Sequence, residues 1–351
     1  MSDKTKVLYF VERYSQISET YIENEIRALG GSYKPRVLSL VNPDLPMTEN
    51  LLPYTLVRSA DHVRQMTEDF APDVVHGHYL TMIEYCSNVS ELLQVPFTLR
   101  AHSFDFLGAT PEKLAAWSRF ANTESCLGIL TFPFTIPSLE KAGFDARKLI
   151  PCHPVVDVQA FMNRDTNGDA IMNTGAALPK KQMEDFILLG SLLPERDFHL
   201  YPLGYKTGQL AAYNRSLGEP VKFVGPVQPS AMPAEYKKHE WLVYTAHPKM
   251  KTVGWPLAVA EAQASGVGVC MANVRPDLKD YVGDCGFLFD SVEEAAKIIS
   301  QPFPQEMRAR GFEWAQRCDI KRHIHLLTDL WPRPAASRKG GVDAAAAGSE
   351  G

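Results

Sequence analysis

The sequence has no CxxC pair and no other cysteine spacing suited to a metal. Its six cysteines, Cys86, Cys126, Cys152, Cys270, Cys285 and Cys318, are scattered along the chain. Such scatter reads as buried free thiols in a reducing compartment rather than as a disulfide framework. No uncharged apolar run reaches the ~20 residues that span a bilayer. The opening MSDKTKVLYFVERYS has no small-residue cleavage site, so neither secretion nor membrane insertion is expected and the expected location is cytoplasmic. An excess of positive charge is also missing: 36 Lys and Arg against 41 Asp and Glu leave a net charge of -5, which disfavours nucleic acid as a partner. There is no D-x-D motif placed for a divalent ion, and nothing in the sequence calls for a metal or other cofactor.

What remains is a chain of 351 residues, 45% hydrophobic and 22% charged, long enough for two buried cores. Apolar strand-like runs alternate with helical segments from the start. KVLYFV precedes SETYIENEIRALG, where Ser18 suits an N-cap and Gly30 a C-cap; PRVLSLV, DVVHGHY, VPFTLRAHSFDF and CLGILTFPF continue the pattern. This predicts an α/β fold with parallel sheets wrapped by helices. Two prolines interrupt KLIPCHPVVDVQAF, and the polar NRDTNGD follows, so a domain boundary is expected near Asp157. A second alternation then begins, through AIMNTGAALPKKQMEDFILLG, EPVKFVGPV, EWLVYTAH, PLAVAEAQASG and VGVCMA. Residues 1–157 and 158–318 are thus read as two Rossmann-like domains facing across a cleft. Residues 319–334 are read as a C-terminal helix packing back toward the first domain, and the low-complexity 335–351 as a disordered tail. Open parallel sheets bind ligands beyond the carboxyl ends of their strands, which is where the cleft would lie.

The segment from Val253 to Gly266 carries the clearest chemistry. A loop with Gly254, Trp255 and Pro256 leads through Leu257 into a short helix bearing Glu261. A helix N-terminus offers free N–H groups to a diphosphate, Gly254 permits close approach of a ligand to the backbone, and Glu261 can accept hydrogen bonds from a ribose diol. On its own the segment fits an amphipathic helix with a solvated glutamate equally well.

The order of segments resembles glycosyltransferase family 4, a retaining family of GT-B architecture that uses nucleotide sugars, from about Lys6 to Trp331. YSQISETYIENEIRALG, DVVHGHY and LRAHSFD resemble its first-domain segments, and VVDVQAF its hinge. NTGAALPKKQMEDFI, VKFVGPV and the stretch from Val253 to Gly266 resemble its donor-binding segments. The resemblance implies that Gly175 and Lys181 serve the donor diphosphate, that Glu261 holds the ribose, and that His102 faces the donor sugar as the catalytic-site histidine. It implies a donor in the second domain and a sugar, lipid-linked or small-molecule acceptor in the first. A lysine is a compact point charge suited to phosphate oxygens.

The departures lie on the donor side. Ala176 stands where the family has an arginine, and Val253 where it has the first glutamate of its E-x7-E motif. The loop ANVRPDLKD replaces a glycine-rich turn, and Gly268 stands where proline is common. Lys249 and Lys251, just before the ligand loop, are candidates to replace the missing cation, with Lys251 the preferred one. The expectation is a metal-independent, hexosyltransferase-type enzyme that transfers a sugar with retention to an acceptor hydroxyl, in glycan, polysaccharide or glycoconjugate biosynthesis. Scattered basic residues in the first domain, including Arg13, Arg36 and Arg64, leave room for peripheral membrane contact. Two other readings fit the sequence: a degenerate, non-catalytic nucleotide-sugar-binding protein, for which Ala176 and Val253 speak, and a two-domain small-molecule receptor.

Overall fold

The run Val7 to Val11 is buried along its whole length, as a strand covered on both faces must be. Its side chains alternate between two cores: Val7, Tyr9 and Val11 pack with Ile22 and Leu130, while Leu8 and Phe10 pack with Val75, Ile83 and Leu99. This strand is an interior strand of the first of two parallel sheets in a computed structural model that describes residues 4–14, 16–49, 51–204, 206–250 and 252–333. The tail expected over residues 335–351 lies outside the described residues.

The first sheet comprises β1 (Thr5–Arg13), β2 (Tyr33–Val41), β3 (Tyr54–Leu56), β4 (Val74–His78), β5 (Phe97–Arg100), β6 (Cys126–Thr131) and β7 (Leu149–Pro151), in the order β3-β2-β1-β4-β5-β6-β7. The second comprises β8 (Ala170–Ala176), β9 (Phe198–Leu203), β10 (Lys222–Phe223), β11 (His239–Tyr244), β12 (Gly268–Ala272) and β13 (Phe287–Phe289), in the order β10-β9-β8-β11-β12-β13. Each sheet reverses its strand order once, at β1/β4 and at β8/β11. Loops leaving those strands diverge there and open a crevice. The architecture is α/β with two parallel sheets, as the alternation predicts.

Two local details differ from the sequence expectation. The first helix begins at Thr20 with Glu19, not Ser18, at its N-cap and no side-chain cap; at its far end Leu29 is the C-cap, and Gly30 follows at φ +67°, a left-handed turn that suits glycine. The C-terminal segment is not one helix. Helix Gln305–Ala315 ends before a turn at Gln316–Cys318, and two single-turn helices, Ile320–His323 and His325–Thr328, follow. The break is a crossing between the sheets: Val156 N donates to Cys318 O at 3.0 Å and Ile320 N to Val156 O at 2.9 Å, so the two connecting segments lie side by side. Lys321 pairs with Asp157 at 2.8 Å beside them. Beyond the crossing, Leu327 and Trp331 are buried in the first-domain core with Val7, Tyr9 and Ile22.

All six cysteines are buried and free, and burial pushes Cys285 and Cys318 up to about 12. Among the described residues no helix is long and apolar enough to cross a membrane.

Candidate active site

A cleft of about 600 Å³ opens between the carboxyl ends of the two sheets, lined by residues of both. Seven of the residues selected from the sequence meet there: His102, Gly175, Lys181, Trp255, Pro256, Leu257 and Glu261. They come from the ends of three strands, β5, β8 and β11, which is the convergence a ligand site requires.

The second-domain wall is built around Lys181. β8 ends at Gly175 and Ala176, and the Pro179–Lys181 turn folds the lysine back over that end. Gly175 has φ +126°, and a Cβ there would overlap the Lys181 ammonium, so glycine is what gives the lysine its seat. Nζ lies 3.5 Å from Thr174 O and 5.4 Å from the centre of the Tyr244 ring. Burial, then the neighbouring Lys180, bring its pKa down to about 7 against the pull of Glu261. Across from it, Glu261 lies in the second turn of helix Leu257–Ala264, and its Oε2 accepts from the Tyr236 hydroxyl at 2.8 Å. Burial raises the Glu261 carboxyl to about 7, with Tyr236 and Lys181 opposing. A cation and a carboxylate, both poised near neutrality, thus face one space beside the first turn of a helix.

The loop before helix Leu257–Ala264 packs against both domains. Gly254 does not face open space: a Cβ on it would overlap the Ser103 side chain, so the close approach that glycine permits here is between the two domains. Trp255 is 5% exposed, stacks on Tyr281 at 4.9 Å and donates to Asp277 at 2.9 Å, forming a fixed floor for the cleft. Val253 is a core residue whose carbonyl accepts from Arg275, so this position serves packing. Lys251 lies outside the described residues, and Lys249 is exposed and does not line the cleft.

On the first-domain wall, His102 follows β5 at the N-cap of helix Ser103–Leu107. Its backbone N–H donates to Asp105, whose carboxylate also takes the N–H of Leu80 at 2.5 Å and of Phe106 at 3.0 Å. The His102 ring lies 4.3 Å from the Tyr21 ring and 4.7 Å from the Tyr79 ring, and its Nε2 meets His78 Nδ1 at 3.0 Å. Burial, reinforced by His78 and Arg100, holds the His102 imidazole well below its ordinary pKa and therefore neutral.

Several residues at the site were not selected from the sequence. Lys180 lines the cleft, sits 5.1 Å from the centre of the Phe104 ring, and has its pKa lowered by burial. It stands beside the chosen Lys181, and adjacency was its one visible signal. Tyr79 lines the cleft at φ +77°, a conformation a tyrosine adopts only when its surroundings impose it. Tyr236 came from a segment with no motif. Beneath the wall, Glu25, His76 and His78 bring three ligand-type atoms within 4.8 Å of one another, all fully buried. That donor set would suit a metal, but Arg100 Nε already sits 2.5 Å from Glu25 Oε2 and supplies the neutralising charge.

Residues 169–302 match the family model described as glycosyl transferases group 1. Among the curated proteins none matches the sequence significantly. Among solved structures, the chain is similar to Anabaena Alr3699/HepE in complex with UDP and glucose, with TM-score 0.74 and 14% identity over 92% of this chain and 98% of that one. It is also similar to the lipopolysaccharide outer core galactosyltransferase WaaB in its apo form, with TM-score 0.62 and 13% identity over 92% and 99% of the two chains. Sucrose-phosphate synthase (tll1590) from Thermosynechococcus elongatus gives TM-score 0.63 and 15% identity over 92% and 97%. The chain therefore has the GT-B fold from end to end of its described length, and its second domain matches the glycosyl transferases group 1 over residues 169–302.

Proposed function

We propose that the protein is a glycosyltransferase that takes a hexose-type sugar from a nucleoside diphosphate sugar and transfers it with retention to an acceptor hydroxyl. The observation that carries this reading is the pairing of Lys181, seated on Gly175, with Glu261, held by Tyr236, across one cleft beside a helix N-terminus. In this reading the lysine meets the diphosphate, the first turn after Pro256 adds its N–H groups, and Glu261 accepts from the ribose hydroxyls. Lys180 takes the place of the arginine missing at Ala176, in preference to Lys251. A similar structure holds UDP and glucose and another UDP-glucose, so uridine diphosphate sugars are the first donors to try.

The leaving diphosphate would be stabilised electrostatically by Lys181, Lys180 and the helix N-terminus. In this reading the leaving group departs and the hydroxyl attacks on one face of the sugar. His102 and Tyr79, on the first-domain wall, would bound the sugar and the incoming hydroxyl. The acceptor side belongs to glycan or glycoconjugate synthesis in this reading. The test is incubation with a panel of nucleotide sugars and saccharide acceptors, scoring released nucleoside diphosphate and the anomeric configuration of the product. Acceptor-dependent release with retained configuration is expected, and Lys181→Ala should abolish most of it. No release from any donor would overturn the reading.

A further inference from the structure

The most heavily buried polar cluster of the first domain lies directly behind His102, and the proton positions in it can be worked out. Glu25 is fully buried; burial alone would raise its pKa, but Arg100, His76 and His78 hold it well below the ordinary carboxylate range, so it is ionised. Arg100 Nε lies 2.5 Å from its Oε2, and the Tyr9 hydroxyl donates to Oε1 at 3.2 Å. His76 Nε2 and His78 Nε2 lie within ion-pair range of the same Oε1, at 2.9 and 3.3 Å, and neither makes an aligned hydrogen bond to any group among the described residues.

An anionic oxygen this close repels a bare ring nitrogen, so both Nε2 atoms carry protons; His78, whose pKa burial brings down to about 4, is neutral, and its Nδ1 is therefore bare. On the far side of His76, Thr98 Oγ1 accepts from the Trp331 indole at 2.9 Å and lies 2.8 Å from His76 Nδ1. The branch through His78 leads to the cleft. His78 Nδ1, being bare, must receive a proton from His102 Nε2, 3.0 Å away.

We propose that Glu25 and His78 are positioning residues that fix the cleft-facing His102 as its neutral Nε2–H tautomer, so that it meets a ligand hydroxyl only as an acceptor, through Nδ1. The inference rests on the proposed transferase reading only for the identity of that hydroxyl, a sugar's or an acceptor's. The tautomer itself is a property of the free protein. A metal held by Glu25, His76 and His78 is the competing account, and it requires the opposite protonation, since both Nε2 atoms would have to be bare.

Nitrogen-15 labelling of the histidines in the full chain, read by long-range proton–nitrogen correlation, decides between them. The Nε2–H pattern at His76, His78 and His102 is expected. An Nδ1–H pattern at His102, or bare Nε2 atoms at His76 and His78 with a bound metal, would overturn the proposal. A second arm uses substitutions at His78. Asparagine keeps an acceptor near the Nδ1 position and leucine does not, so His78→Leu should lower kcat by roughly tenfold, the scale of one hydrogen bond, with donor KM unchanged, while His78→Asn retains most of it. Equal loss in both variants would count against the positioning role. A wild-type protein that showed the expected tautomers but transferred no sugar would leave this inference standing and remove the functional reading instead.

Discussion

At the scale of single residues, the second-domain wall of the cleft depends on one backbone conformation. Gly175→Ala would place a methyl group where the Lys181 ammonium sits, at a φ that costs an L-residue about 1–3 kcal/mol. The expected outcome is a lower Tm together with weakened nucleotide binding, read by thermal melts and calorimetry on the same sample. The protonation states give a second prediction. Lys181 and Glu261 both stand at about 7 in the free protein. A diphosphate needs the lysine charged, so affinity falls as pH rises through that value; a ribose diol needs the carboxylate, so affinity also falls as pH drops through it. Titrations with a nucleoside diphosphate across the neutral range should therefore show a maximum near pH 7, and Glu261→Gln should flatten its acid limb. Lys181 and Glu261 were legible in the sequence because each stands in a recognisable local string. Glu25, Arg100 and Tyr236 were not, because their importance lies in partners 16 to 75 positions away, such as Tyr9 and Arg100 for Glu25.

At the scale of elements, the ligand loop turns out to be a joint between domains. Gly254 abuts Ser103 at the start of the helix that His102 caps, so the loop before helix Leu257–Ala264 and the His102 wall are placed against each other by that contact. Gly254→Ala should push them apart and lower kcat/KM by roughly ten- to a hundredfold, the scale of a misplaced reacting group, while each domain keeps its fold. Steady-state kinetics set beside an unchanged circular dichroism spectrum would check this. The loop's composition predicted a place of close approach but not what approaches. Strand order decides that, because it brings the ends of β5 and β11 to one cleft. The departure at Val253 is explained at the same scale: its side chain belongs to the second-domain core, and its carbonyl anchors Arg275.

For the whole molecule, strand-by-strand alternation was readable because each buried strand had to be apolar on both faces, as Val7 to Val11 are. The return of the chain to the first domain is a matter of tertiary packing, and the break at Gln316–Cys318 follows from the crossing at Val156 and not from a local helix stop. Trp331 closes that return, filling the first-domain core and donating to Thr98. Trp331→Ala should cost about 3–5 kcal/mol, measured as a shift in denaturant midpoint, with the loss falling on the first domain. The central claim, that the second domain holds a nucleotide-sugar donor between Lys181 and Glu261, is tested most directly by calorimetric titration of UDP into wild-type protein and Lys181→Ala. One-to-one binding is predicted, weakened about tenfold or more by the substitution, as expected for a lost charged hydrogen bond of about 1.5–3 kcal/mol. Equal affinity in the two proteins would contradict the account.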